Sequence, residues 1–222
     1  MMQPFLLDDR LSRAAALFPA CAYGADIGAD HGRLSCYLLL RGTCRRMCVS
    51  DLSALSLQKA KDLLTHWGLE ERADFRVGDG LRVLPKPAEA VAVLGMGGHT
   101  LSSILLTGAD KLRGAALILS AHTDVNLVRR TLADLSYKID REEISFAAGR
   151  YYVVLRAYPG SESMGERQLM LGPRLTETVP EHYEGYLAWR IKIASKKRTE
   201  DGIRELNWLK EEYDRVRDCG IH

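Results

Sequence analysis

The sequence has no long apolar run. Nowhere does it reach the roughly 18 consecutive apolar residues needed to cross a bilayer, which excludes a helical membrane protein. It also has almost no net charge, 31 Lys and Arg against 29 Asp and Glu for a formal +2, so affinity for a polyanion must come from local clusters. There is no C-x-x-C pair. The five cysteines, Cys21, Cys36, Cys44, Cys48 and Cys219, are an odd number, indicating reduced thiols rather than a disulfide framework or a zinc ribbon, and no metal is expected. Met1-Met2-Gln3-Pro4, followed by Asp8-Asp9-Arg10, lacks the basic head and apolar run of a signal peptide, so a cytoplasmic location is expected. What is present is an ordinary globular composition, 46% hydrophobic and 27% charged. Its 222 residues have room for one α/β domain of roughly 150 residues and an appendage.

Four apolar runs end in Gly or Asp. The first, Tyr23-Gly24-Ala25-Asp26-Ile27-Gly28-Ala29-Asp30-His31-Gly32, reads as a buried strand entering a glycine turn ahead of an apolar helix at 34–40. The second, Met47-Cys48-Val49, closes on Asp51, 25 positions after Asp26. An acidic residue there suits the two hydroxyls of an adenosine ribose, and Leu52 follows it into the same site. The third, ending Val77-Gly78-Asp79-Gly80, brings Asp79 to an adenine amino group. The fourth, Val91-Ala92-Val93-Leu94, runs into Gly95-Met96-Gly97-Gly98. Four such endings in order mark the carboxyl edge of an open parallel sheet, where α/β proteins bind ligands.

An intact G-x-G-x-x-G is lacking. Where a dinucleotide's phosphates would sit, the first turn carries Asp26 and Asp30, which repel an anion and suit a cation. S-adenosylmethionine carries an ammonium and a sulfonium. The expected fold is therefore an α/β, Rossmann-like Class I methyltransferase: a seven-stranded, mostly parallel sheet with an antiparallel edge hairpin. Asp26, Gly28, Asp51, Leu52, Asp79, Gly80 and Gly95 are the expected cofactor-binding residues.

The rest of the chain supports that layout. Residues 5–17 fit an amphipathic helix, and 54–67, 101–106 and 125–135 fit helices after successive strands. A fifth strand is expected at 115–119. Runs 138–146 and 151–158 read as an antiparallel hairpin joined by 147–150. Pro159-Gly160-Ser161 is a turn-rich break, which sets the boundary between a cofactor-binding domain, 1–159, and a C-terminal part, 160–222. There two stripes, Tyr183, Leu187, Ile191, Ala194 and Leu206, Leu209, Tyr213, Val216, predict a coiled-coil-like helical hairpin. Residues 1–159 are expected to fold without it.

Several motifs together resemble the bacterial tRNA (adenine-22-N1)-methyltransferase family over nearly the whole chain. They are Arg10-Leu11, the Asp26-Ile27-Gly28-Ala29-Asp30-His31 turn, Gly78-Asp79-Gly80-Leu81, Gly95-Met96-Gly97-Gly98, Tyr152-Val153-Val154 and Leu171-Gly172-Pro173. The chain departs from the family where Gly32-Arg33-Leu34-Ser35 replaces the usual Ala-Tyr-Leu-Pro. It departs again where Ser120-Ala121-His122 stands for Gln-Pro-Asn. The resemblance implies methylation of a ring nitrogen of adenine in tRNA. The absence of Asn/Asp-Pro-Pro-Tyr from the slot held by residues 95–98 agrees, because that tetrapeptide grips an exocyclic amine. Asp30 is the candidate catalytic carboxylate, with helix N-capping as its alternative role. His31, Met96 and Gly97 are expected at the target base, though His31 also reads as structural. Lys192, Lys196, Lys197 and Arg198, with a second cluster at Arg41, Arg45 and Arg46, are expected at phosphates. Residues 161–222 carry eleven basic against twelve acidic residues, so a merely solvated helix face stays open. Two other functions also stay open: a small-molecule methyltransferase, and a cofactor-binding assembly protein without turnover.

Overall fold

The structure is a computed structural model that describes residues 5–218, so Cys219 and the first four residues lie outside the described part. Seven strands form one sheet: β1 (Cys21–Ile27), β2 (Cys44–Asp51), β3 (Ala73–Val77), β4 (Ala90–Met96), β5 (Ala116–Ala121), β6 (Tyr137–Ala147) and β7 (Arg150–Pro159). Their order is β3-β2-β1-β4-β5-β7-β6. β7 runs antiparallel to both neighbours, and the other six share one direction. β1 pairs with β2 on one side and β4 on the other, so the chain order reverses there and leaves a crevice over their carboxyl ends.

The central strands are covered on both faces, which is why β4 and β5 read as unbroken apolar runs rather than alternating ones. Around the sheet lie α1 (Asp9–Leu17), α2 (Arg33–Leu40), α3 (Ala54–His66), α4 (Gly98–Thr107), α5 (Ala109–Leu112) and α6 (Val125–Asp134). The pleat sends Val91, Val93, Leu117 and Leu119 to one apolar layer and Ala92, Ile118, Met47 and Val49 to the other. α1 starts where the Asp8 carboxylate accepts the Leu11 N–H at 2.8 Å, an N-cap. The edge hairpin is tighter than expected. Ala147 pairs with Arg150, so only Ala148 and Gly149 turn the chain, with φ of 49° and 74° as a two-residue primed turn requires.

Past β7 come α7 (Glu166–Leu171), α8 (Pro173–Thr178), α9 (Tyr183–Ala194) and α10 (Glu200–Asp218). The last two are the expected hairpin. Tyr183 meets Glu212 and Arg190 meets Glu205, so the helices run antiparallel. The two short helices before them were not expected, and they join the C-terminal part to the sheet. Arg129 of α6 is wholly buried; its Nε donates to Glu142 of β6 at 2.7 Å and its Nη1 to the Leu169 carbonyl of α7 at 2.8 Å. Beside this node Ile144 and Val153 of the hairpin pack into one cluster with Leu171, Leu175, Tyr183, Leu187 and Leu209. No helix of the described residues is long and apolar enough to cross a membrane.

Candidate active site

Over the carboxyl ends of β1, β2 and β4 lies a cleft with two lobes that share Gly28, Leu94 and Gly95. The smaller, about 170 Å³, is bordered by Asp51, Leu52, Asp79, Gly80 and Met96. The larger, about 390 Å³, is bordered by Asp26, Asp30, His31 and, from outside the sheet's crevice, Arg10 and His122. Gly28 stands between them at φ +72°, and a Cβ there would fall 2.2 Å from Met96 Cε. A side chain at 28 would thus occupy the neck of the cleft, and glycine keeps it open.

Asp26, next to the last residue of β1, is 4% exposed, and among the described residues no cation pairs with its carboxylate. Among the described residues the side chain that bonds it is Ser35, whose hydroxyl donates at 2.7 Å. Burial pushes its pKa up to about 6, against the lowering effect of Ser35 and with a smaller push from Asp51. A buried carboxylate beside a cavity and lacking a counter-ion suits a cationic ligand group. Asp51 ends β2 and is held from both sides: the Ser53 N–H donates to Oδ1 at 2.8 Å and the Asp30 N–H to Oδ2 at 3.0 Å. The two carboxylates therefore stand one in each lobe.

Asp30 has left-handed backbone, φ 49°, and its side chain is 67% exposed, with Oδ2 2.8 Å from His31 Nδ1. It does not cap α2. Gly32 is the N-cap residue and no side chain bonds the first turn, so the alternative role fails on geometry. Met96, expected at the target base, borders the smaller lobe with Asp51 and Asp79. Gly97 borders neither lobe and is the N-cap residue of α4. Lys192, Lys196, Lys197 and Arg198 are exposed at the end of α9 and just beyond, where Lys197 Nζ donates to Glu205 at 2.6 Å. Arg45 and Arg46 start β2 and Arg41 ends α2, so this cluster lies at the opposite edge of the sheet from the cleft, and Arg46 is taken up by Asp74.

The sequence singled out Arg10 only within the Arg10-Leu11 motif and His122 only as part of a departure from the family, and gave neither a place in the site. The fold joins them. Arg10 Nη1 lies 3.1 Å from His122 Nε2, and its guanidinium stands 5.6 Å from the centroid of the Tyr152 ring. Arginine can only donate, so Nε2 accepts and the imidazole proton rests on Nδ1. Burial, then Arg10 and Arg150, lower the His122 pKa, which agrees with a neutral ring. The signal was weak because these residues are 112 positions apart, and nothing near Arg10 says that α1 folds back onto the sheet.

Residues 7–155 match the family model described as a methyltransferase domain. The tRNA (adenine(22)-N(1))-methyltransferase of Bacillus subtilis is 34% identical over 161 residues, which are 72% of this chain and 68% of that one. The chain belongs to this methyltransferase family. A solved structure of the B. subtilis M1A22 tRNA methyltransferase TrmK aligns with a TM-score of 0.80 at 26% identity, covering 97% of this chain and 99% of that one. The TrmK of M. capricolum, solved in complex with S-adenosyl-homocysteine, shares the fold with a TM-score of 0.81 at 21% identity, over 94% and 98% of the chains. The family model stops inside β7, whereas the structural likeness continues through α7 to α10. The C-terminal helices of this methyltransferase thus belong to the shared architecture.

Proposed function

We propose that this methyltransferase transfers a methyl group from S-adenosyl-L-methionine to N1 of an adenine in tRNA, at the position named for its relative, 22. The observation that carries the reading is the 34% identity to a tRNA (adenine(22)-N(1))-methyltransferase. The uncompensated Asp26 at the cleft supports the cofactor. When bound, S-adenosyl-L-methionine supplies an electrophilic methyl on a sulfonium. Asp26 would hold its ammonium, Gly28 and Gly95 would leave it room in the cleft, and Asp51 would accept hydrogen bonds from the ribose hydroxyls, with Leu52, Asp79 and Gly80 around the adenine. Adenine N1 carries an in-plane lone pair, so no base has to remove a proton before the attack, and holding the two reactants in line supplies most of the rate. Asp30, exposed in the larger lobe, stabilises the cationic base that results and accepts the amine's hydrogen bond. His31 orients Asp30 through the 2.8 Å contact.

Residues 1–159 form the catalytic part and 160–222 the tRNA-recognition part, with Lys192, Lys196 and Arg198 at phosphates. The protein works in the cytoplasm, where its substrate is. Incubation with labelled S-adenosylmethionine and tRNA lacking the modification, followed by nucleoside mass spectrometry, tests the assignment. 1-Methyladenosine at one position is the expected product. Methylation only of small metabolites, or cofactor binding without turnover, would refute it.

A further inference from the structure

A second cavity, of about 270 Å³, opens beside the cleft and meets its larger lobe only at His122. It lies between the end of β5, β7 and α9. Tyr151, Tyr186 and Trp189 form its aromatic wall, with ring centroids 6.0 to 6.3 Å apart, and Asn126 adds an amide. The wall is built with care for Tyr151: Gly185 sits inside α9, where glycine costs helix stability, and a Cβ there would fall 2.4 Å from the Tyr151 hydroxyl oxygen.

Three of the four Asp, Glu, Lys and Arg residues that line the cavity, Arg190, Lys197 and Glu205, are paired with one another. Arg190 donates to Glu205 at 2.5 Å and to the Tyr186 hydroxyl at 2.8 Å, and Lys197 donates to the other Glu205 oxygen at 2.6 Å. Asp124 borders the same space. Such a cavity does not draw in a phosphate; it suits a flat, uncharged ring with hydrogen-bonding edges. Its volume falls just below the roughly 300–1,000 Å³ of pockets for drug-sized ligands, which fits a single nucleobase.

We infer that this cavity is a second nucleobase subsite: it takes up a nucleotide flanking the target, stacked on Trp189 and Tyr151, while the target base enters the cleft on the other side of His122. The inference rests on the tRNA reading above and adds to it how the RNA is held open. An enzyme acting on a base inside a structured RNA must extrude it, which strips the neighbouring base of a stacking partner. Aromatic side chains return that stacking with little regard to base identity. The substrate would then be gripped by two bases straddling one histidine.

The test pairs variants of the full-length enzyme with substrates that lack one base. Trp189→Leu keeps an apolar but smaller side chain and removes the ring; Trp189→Phe keeps a ring. The leucine variant should raise the KM for tRNA roughly ten- to a hundredfold, the scale of one lost base-stacking contact. Its kcat and cofactor affinity should hold while its melting temperature falls modestly, because Trp189 also packs on Tyr151 and Tyr186, and the phenylalanine variant should stay near wild type. An abasic nucleotide on one side of the target should raise the wild-type KM to the same extent, and should add little more in Trp189→Leu, because the two changes remove one contact. Additive losses at both flanking positions would overturn the subsite. Coupling confined to the target nucleotide would overturn it too, by placing the target itself in the cavity. Should Trp189→Leu fail to fold, Tyr151→Leu and the wild-type abasic scan decide, and a scan with no sensitive flanking position refutes the inference. A wild-type enzyme that methylates tRNA while showing no coupling loses the subsite alone; one that methylates no tRNA loses the functional reading and the subsite with it.

Discussion

Asp30 and Asp26 are both aspartates at the end of one strand, yet their surroundings give them opposite behaviour. Asp30 is exposed and caps no helix, so Asp30→Asn should leave the melting temperature and cofactor affinity near wild type. The single-turnover rate at saturating tRNA should fall by roughly 10²-fold, the scale of one well-placed electrostatic group. Asp26 is buried, and its pKa is raised from 3.8 to about 6. Between those values the folded protein holds a proton that the unfolded chain has released, so this contribution to stability is full below pH 3.8 and is lost as pH rises through about 6. Thermal melts of the ligand-free enzyme should show that loss, and Asp26→Asn should remove it. A cationic ligand reverses the preference: calorimetry should find wild-type cofactor affinity falling by up to about tenfold per pH unit below pH 6. The types of these residues were legible in the sequence because each ends an apolar run beside glycine. Their environments were not, since the burial of Asp26 and the fact that Gly32 caps α2 depend on packing. The pairing of Arg10 with His122 escaped for the same reason.

At the level of elements, the sheet and its flanking helices could be read because long apolar runs alternate with helical stripes. The two short helices α7 and α8 could not. Each has six residues, too few for a helical period to repeat, and Gly172-Pro173 between them reads as a break. The α2 and α3 contact offers a test of how closely elements approach. Gly32 has φ +66°, and a Cβ there would lie 2.7 Å from Ala60 Cβ, whereas Gly42, φ +71°, has nothing within 4 Å. Gly42→Ala should cost only the left-handed backbone strain, roughly 1–2 kcal/mol. Gly32→Ala adds overpacking and should cost a further 1–3 kcal/mol or so in urea denaturation. Equal losses would mean that α2 shifts freely.

For the whole molecule, the boundary at 159/160 is a boundary of composition crossed by a shared core. Arg129 and Glu142 precede it, but the Leu169 carbonyl and the Arg174 N–H that complete their hydrogen bonds follow it. Truncation after 159 leaves this buried pair exposed on an uncovered apolar face, so the shortened chain should be poorly soluble rather than a free-standing cofactor-binding domain; a cooperative melt of residues 1–159 would contradict this. Arg129→Met in the full chain should cost about 3–5 kcal/mol by stranding Glu142, and a compensating Glu142→Leu should recover much of it.

The bond from the Asp30 amide to Asp51 bears on kinetics. The carboxylate proposed for the ribose already holds the backbone of the residue proposed for the target base. A cofactor bound at Asp51 as proposed would compete for that oxygen and reset Asp30 before any RNA is bound. Addition should then follow a compulsory order, cofactor ahead of tRNA, with S-adenosyl-homocysteine competing against the methyl donor and inhibiting noncompetitively against tRNA.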